Sequence, residues 1–265
     1  MQAFEYLRPK SVDEAARALA GNANAKLLAG GQTLLPTMKM RLNRPELIVD
    51  LGAIGGLDTI ARKDNALVIG AMVTHADVAT SAEVAAAIPG LAHLAESIGD
   101  PQVRNRGTIG GSLANNDPAA DYPAAALALG ATLKTNKRTI AADDYFRGLF
   151  ATVDDDEIIS AIAFPIPKRF GYAKFPNPAS RFALVGVAVA ETASGVRVAV
   201  TGAGANGAFR VPAMEAALAK SFRPDSLNAI RVDASALASD IHADAEYRAH
   251  LIGVMAKRAV QAALR

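Results

Sequence analysis

Cysteine and tryptophan are both absent from this 265-residue chain. Without a thiol the chain can form no disulfide, no thiolate zinc site, no cysteine nucleophile and no cysteine-ligated iron–sulfur cluster of its own. Aromatic residues are also scarce, at 5%, although hydrophobic residues make up 51%. Alanine supplies much of that apolar share, which predicts helices packed through small side chains.

Charge of one sign is missing too. The 28 basic and 26 acidic residues leave a net charge of +2 with no long like-charged run, which argues against a nucleic-acid partner. No stretch approaches eighteen uninterrupted apolar residues, and Met1-Gln2-Ala3-Phe4-Glu5-Tyr6 lacks a basic segment leading into an apolar one. Neither membrane insertion nor a secretory signal is expected, and the expected location is cytoplasmic. Nucleophile elbows, Walker loops and protease-type metal helices are absent as well. The four histidines, His75, His93, His242 and His250, have no metal-ligand spacing, so they read as structural or surface residues. The run Asp154-Asp155-Asp156-Glu157 lacks the glycine and spaced ligands of a calcium loop and reads as a solvated turn. No catalytic residue and no metal site are assigned to this chain.

What the chain does have is a pair of glycine-rich segments about eighty residues apart, Ala29-Gly30-Gly31-Gln32-Thr33 and Thr108-Ile109-Gly110-Gly111-Ser112. Glycines tolerate positive φ and let bare backbone N–H groups approach a ligand closely, an arrangement suited to a diphosphate. Taken singly, each segment reads better as a tight turn between elements. The second is flanked by Arg104-Asn105-Arg106-Gly107 and by Asn115-Asn116-Asp117-Pro118-Ala119-Ala120-Asp121-Tyr122-Pro123, a concentration of polar and special-backbone residues typical of a binding segment. A third glycine cluster, Gly202-Ala203-Gly204-Ala205-Asn206-Gly207, matches a dinucleotide fingerprint, but no helix opens within it and no acidic residue ends a following strand. It reads as a turn between a strand and a helix starting at Pro212.

Local signals predict a capped helix from Ser11 to Ala20, strands at 26–29 and 46–51, a turn of helix at 34–40, and a boundary at Gly52 to Gly56. Beyond it come a strand at 66–73, helices at 75–79 and 82–98 interrupted near Pro89-Gly90, a helix at 122–129, and strands at 131–134 and 157–164. Pro165 and Pro167 mark a second boundary. Three strands follow, at 171–175, 182–191 and 195–201, and then helices from Pro212 onward, the pattern of a small α+β domain.

The segments Leu28 to Asp50 (LAGGQTLLPTMKMRLNRPELIVD) and Arg104 to Gly130 (RNRGTIGGSLANNDPAADYPAAALALG) resemble the signature segments of the FAD-binding medium subunit of molybdenum hydroxylases, the flavoprotein subunits of the carbon monoxide dehydrogenase and xanthine dehydrogenase class. The resemblance covers essentially the whole chain. It implies an α+β fold, with a two-subdomain FAD-binding domain of the vanillyl-alcohol-oxidase (PCMH) type at 1–54 and 55–167, then a C-terminal domain at 168–265 with a three-stranded antiparallel sheet and helices. It also implies that Ala29, Gly30, Gly31, Gln32 and Thr33 wrap the FAD diphosphate with Thr108, Ile109, Gly110, Gly111 and Ser112. Asp121 would be the acidic ligand of the flavin region, Ile159 a backbone contact to the ring, Lys174 a basic residue near the flavin, and Phe182 a neighbour of the ring.

Three positions depart from the family pattern: Gln32 where His is frequent, Ser112 where Asn is frequent, and Phe182 where Tyr is frequent. None removes a backbone donor. The implied role is electron transfer, from 2Fe-2S clusters on a small partner subunit through FAD to an external acceptor. Substrate would be hydroxylated at a molybdenum–pterin cofactor on a large partner subunit, the three chains forming a dimer of heterotrimers. The alternatives are a flavin oxidoreductase acting alone and a non-catalytic nucleotide-binding subunit. The substrate, whether carbon monoxide, an aldehyde, a purine or another N-heterocycle, and the acceptor, whether quinone, NAD or oxygen, are left open at this stage.

Overall fold

The computed structural model of the chain describes residues 1–153 and 156–265, so Asp154 and Asp155 of the acidic run lie outside the described residues. Among the described residues three larger sheets follow one another along the chain, and a two-stranded hairpin accompanies the second.

The first sheet is parallel, in the order β1 (Glu5–Leu7), β3 (Leu47–Asp50), β2 (Ala25–Leu28). Parallel neighbours need a crossover, which α1 (Val12–Ala20) and α2 (Leu34–Lys39) supply. The Ser11 hydroxyl caps α1 by accepting from the Glu14 N–H, as the capping-box pattern predicts. The second sheet is antiparallel, in the order β4 (Ile60–Lys63), β5 (Ala66–Gly70), β10 (Ile159–Pro165), β6 (Thr132–Thr135), β7 (Thr139–Ala141).

Between β5 and β6 the chain forms α3 (His75–Thr80), α4 (Ala82–Ala87), α5 (Pro89–Glu96), α6 (Pro101–Arg104), α7 (Ile109–Asn115) and α8 (Asp121–Leu129). Every residue of α8 is buried, which its alanines permit: small side chains let neighbouring elements close in from all sides. A short helix α9 (Ala142–Tyr145) and a small hairpin, β8 (Phe146–Gly148) with β9 (Ala151–Thr152), precede β10.

The third sheet is antiparallel and has four strands in sequence order, β11 (Arg169–Pro176), β12 (Ala183–Thr192), β13 (Gly195–Thr201) and β14 (Phe209–Arg210). The expected count was three; the two-residue β14 escapes because so short a segment carries no alternation to read. Helices α10 (Pro212–Lys220) and α11 (Ala245–Ala263) cover one face of this sheet, with Met214, Leu218, Leu251, Ile252, Met255 and Ala256 in one apolar cluster with Val185, Val187, Val198 and Val200. The other face belongs to the central core: Ala188, Ala190 and Ala199 join the cluster that contains Leu91, Leu94 and most of α8. Because β12 is buried on both faces, its residues read as a continuous apolar run. The third sheet is thereby fixed against α5 and α8, and that contact positions β11 for the site.

Candidate functional site at the seam of the two glycine segments

The two glycine segments meet. Gly30 packs so closely on the stretch before the second segment that a Cβ there would lie 2.0 Å from the Arg106 carbonyl oxygen and 2.7 Å from the Gly107 Cα. A Cβ at Gly111 would lie 3.4 Å from the Ala29 Cβ and 2.9 Å from the Thr108 Oγ1. These glycines therefore bring two backbones together across nearly eighty residues of sequence.

Their contributions differ. In the first segment Gly31 takes φ +75°, and the N–H groups of Gly30, Gly31, Gln32 and Thr33 find no acceptor among the described residues. Consecutive amides left open around a positive-φ glycine form an anion-binding nest. In the second segment the four amides that follow Thr108 are spoken for. Ile109 donates to Val73 O, Gly110 to Ala71 O, Gly111 to Thr108 Oγ1 and Ser112 to Thr108 O. This segment is the first turn of α7 with Thr108 as its N-cap, and not a turn between elements. Gly110 is needed for packing, since a Cβ there would lie 2.5 Å from the Ala71 Cβ. What the second segment offers a ligand is the bare surface of Gly111 and the Ser112 hydroxyl, which has no partner among the described residues. Gln32 is exposed and reaches back to the Gln102 carbonyl at 3.5 Å.

His75 holds the underside of the seam. Its N–H donates to the Gly107 carbonyl, its imidazole lies where a Gly107 Cβ would come within 2.6 Å of Nε2, and its ring centroid is 5.4 Å from that of Tyr122. Burial, with a smaller contribution from the charge of Arg104, lowers its pKa to about 4, so the ring is neutral near pH 7. Two buried polar atoms here, His75 Nδ1 and the Tyr122 hydroxyl, have no partner among the described residues.

From the seam, residues 97–106 lead to a second cluster. Asp121 opens α8 and is 4% exposed; its carboxylate accepts from the Tyr172 hydroxyl at 2.5 Å and faces the Lys174 ammonium at 2.9 Å. Lys174 also donates to the Ser97 carbonyl at 2.8 Å. Burial pushes the Asp121 pKa up, while the Lys174 charge and the Tyr172 hydrogen bond pull it down. Lys174 lies on the wall of a cavity of about 400 Å³, lined also by His93, Ser97, Asn177 and Arg181.

Of the residues singled out in the sequence, the fold unites Ala29 to Thr33 with Thr108 to Ser112, and separately joins Asp121 to Lys174. Ile159 sits in β10 with its side chain in the central core. Phe182, 45% exposed in the loop just before β12, lines a different cavity of about 330 Å³ with Leu149, Ala205 and Arg248. The fingerprint-like Gly202 to Gly207 forms a turn with positive φ at both ends, and a Cβ at Gly202 would lie 2.3 Å from the Ala183 carbonyl oxygen. Of the acidic run, Asp156 pairs with Lys137 and Glu157 with Arg138. Among the described residues no group of three metal-ligating side chains exists, and no helix is long and apolar enough to cross a membrane. Sequence reasoning named Gly107 only as part of a flank and His75 only as a structural or surface residue, and it missed Tyr172. A signal for Tyr172 existed, because residues i and i+2 of a strand share a face and Tyr172 stands two before Lys174.

A family profile described as the FAD-binding domain in molybdopterin dehydrogenase matches residues 2–167. The chain belongs to this family. As a member of it, the chain is 38% identical over 278 aligned residues to the carbon monoxide dehydrogenase medium chain of Hydrogenophaga pseudoflava, covering 98% of this chain and 96% of that one. It is 37% identical to the nicotine 6-hydroxylase medium subunit of Paenarthrobacter nicotinovorans, covering 98% and 97%. Among solved structures, the reconstituted CO dehydrogenase from Oligotropha carboxidovorans superimposes with a TM-score of 0.91 at 34% identity, covering 99% of this chain and 98% of that one. The α+β, FAD-binding character expected from the sequence is thus that of the family.

The residues present fit FAD. A nest of four open amides beside a steep glycine seam suits a diphosphate, and a buried ammonium with one N–H unclaimed among the described residues suits an electron-rich edge of the flavin.

Proposed function

We propose that this chain is the FAD-carrying subunit of a molybdenum hydroxylase. It would take electrons from 2Fe-2S clusters on a small partner chain and deliver them to an external acceptor, while a large partner chain holds the molybdenum–pterin cofactor. The proposed assembly is a dimer of heterotrimers in the cytoplasm, with the chain divided at 54 and 167 into two FAD-binding subdomains and a C-terminal domain. The observation that carries this reading is the contact of Gly30 on Arg106 and Gly107, which leaves the Gly30 to Thr33 amides open on one side of a shared seam.

Bound FAD supplies the conversion between two-electron and one-electron chemistry. The chain's own residues hold and orient it. The Gly30 to Thr33 amides would bind the diphosphate oxygens, the Ser112 hydroxyl would add a donor from α7, and Lys174 would present its ammonium to the flavin. Ile159 and Phe182 are proposed near the ring. None of these residues moves a substrate proton, so no general acid or base is assigned.

The test is purification of the chain alone and with its partners. The alone-expressed protein should be yellow and release close to one FAD per chain on denaturation. Co-expressed partners should supply iron–sulfur clusters whose reduction bleaches the flavin band. A colourless chain that refuses added FAD would sink the reading, and substrate turnover by the isolated chain would replace it with a self-sufficient oxidoreductase.

A further inference from the structure

We propose that Tyr172 is a positioning residue of the flavin site: its hydroxyl anchors Asp121, and Asp121 in turn holds the Lys174 ammonium at the cavity wall with one N–H left for the flavin. The inference rests on the FAD reading above.

Three observations support it. First, β11 places Tyr172 and Lys174 on one face, two residues apart, opposite Ala188 and Gly186 of β12. Second, room for the hydroxyl is provided by a missing side chain: a Cβ at Gly186 would lie 2.3 Å from the Tyr172 hydroxyl oxygen and 2.8 Å from the Thr201 methyl. A phenyl ring would fill the same core space, and what the tyrosine adds is a donor whose acceptor is Asp121. Third, the Lys174 side chain is only 7% exposed and its ammonium is aimed by two acceptors, Asp121 and the Ser97 carbonyl. Removing the hydroxyl leaves Asp121 in its buried site with Lys174 as its remaining side-chain partner.

The groups facing Asp121 are Tyr172 and Lys174 from β11 and the neighbouring Tyr122 of α8; farther along the cavity lie His93 of α5 and Arg181 of the loop between β11 and β12. Burial already disfavours the Asp121 carboxylate, and the hydroxyl opposes that effect. In Tyr172→Phe the carboxylate therefore takes up a proton at higher pH than in the parent. Once neutral it no longer holds Lys174, so flavin binding weakens selectively as pH falls.

The experiment is titration of the full-length apoprotein with FAD, read by flavin fluorescence at about pH 6 and about pH 8 for the wild type and Tyr172→Phe. The loss of one hydrogen bond to a charged group predicts Kd about tenfold weaker for the variant at the acid end, with the ratio falling toward one at the alkaline end. Asp121→Asn should remove this pH dependence, and adding Tyr172→Phe to it should change nothing further. Gly186→Ala, which displaces the hydroxyl and leaves every ionisable group in place, should reproduce the acid-selective weakening even if Tyr172→Phe folds poorly. A folded Tyr172→Phe protein with unchanged Kd, or with a loss equal at both pH values, overturns the positioning role. A wild-type chain that binds no FAD at either pH overturns the reading of the site itself.

Discussion

Gly30 and Arg106, seventy-six positions apart, are in such close backbone contact that a methyl group on Gly30 would lie 2.0 Å from the Arg106 carbonyl oxygen. No rotamer relieves that overlap, because both partners are main chain. The two binding segments can form one seam only if residue 30 has no side chain.

Gly30→Ala is accordingly expected to separate the segments. The destabilisation should reach or exceed the ~3 kcal/mol upper end of ordinary overpacking, with loss of flavin retention. Denaturant titration and FAD release measure the two effects. Gly55→Ala is the control, since nothing lies within 4 Å of its added methyl group and neither quantity should move. Gly111→Val faces milder contacts, 2.9 Å to the Thr108 hydroxyl oxygen and 3.4 Å to the Ala29 methyl. That variant should keep its fold but lose FAD. Full FAD occupancy in a folded Gly111→Val protein would count against the seam as the binding surface.

The buried pair Asp121 and Lys174 predicts an asymmetric mutational pattern. Lys174→Met leaves a carboxylate that is 4% exposed with only Tyr172 as a side-chain partner, and should cost about 3–5 kcal/mol. Asp121→Asn strands the ammonium instead. The double replacement should be less damaging than the sum of the two, a coupling that a double-mutant cycle in denaturant measures. Strict additivity would mean that the two charges do not depend on each other.

His75 predicts an acid-side loss of stability. Its folded pKa of about 4 lies below the ordinary value of 6.5, so the unfolded chain binds the extra proton more readily. The contribution is fully present above about pH 6.5 and is lost progressively as pH falls toward 4. A gap of that size corresponds to about 3 kcal/mol. Stability curves at several pH values should therefore flatten in His75→Gln relative to the wild type over this window. An unchanged slope would mean that another group governs acid unfolding.

Arg248 ties α11 to the third sheet. Its guanidinium is 3% exposed and donates to the Leu184 and Gly202 carbonyls while pairing with Asp240 at 2.7 Å. Arg248→Met should destabilise the third sheet and α11 by about 3 kcal/mol, because two buried carbonyls lose their donor. Denaturant titration measures the loss, and an unchanged midpoint would mean that the two carbonyls do not depend on this guanidinium.

Much of this was legible in the residues. Ser11 and Glu14 announce the capped α1, the alternating and β-branched stretches announce β3 and β10, and the two glycine segments stand out by spacing and flanking polarity. Short elements escaped, since β14 has two residues and α6 only four, too few for any period to show. Segment 82–98 reads as one interrupted helix and forms two, because Pro89 lacks the N–H that would continue α4 and instead starts α5.

The covalent chain by itself settled which chemistries were impossible, which residues could bend without a Cβ, and which family pattern they followed, because those properties belong to side-chain types and their order. Only the folded arrangement decided that the first glycine segment keeps its amides open while the second spends its own on the stretch after β5 and on Thr108, and that Tyr172 stands behind Asp121. Hydrogen bonds and burial between distant segments are properties of neighbours in space, and a linear order of residues does not list those neighbours.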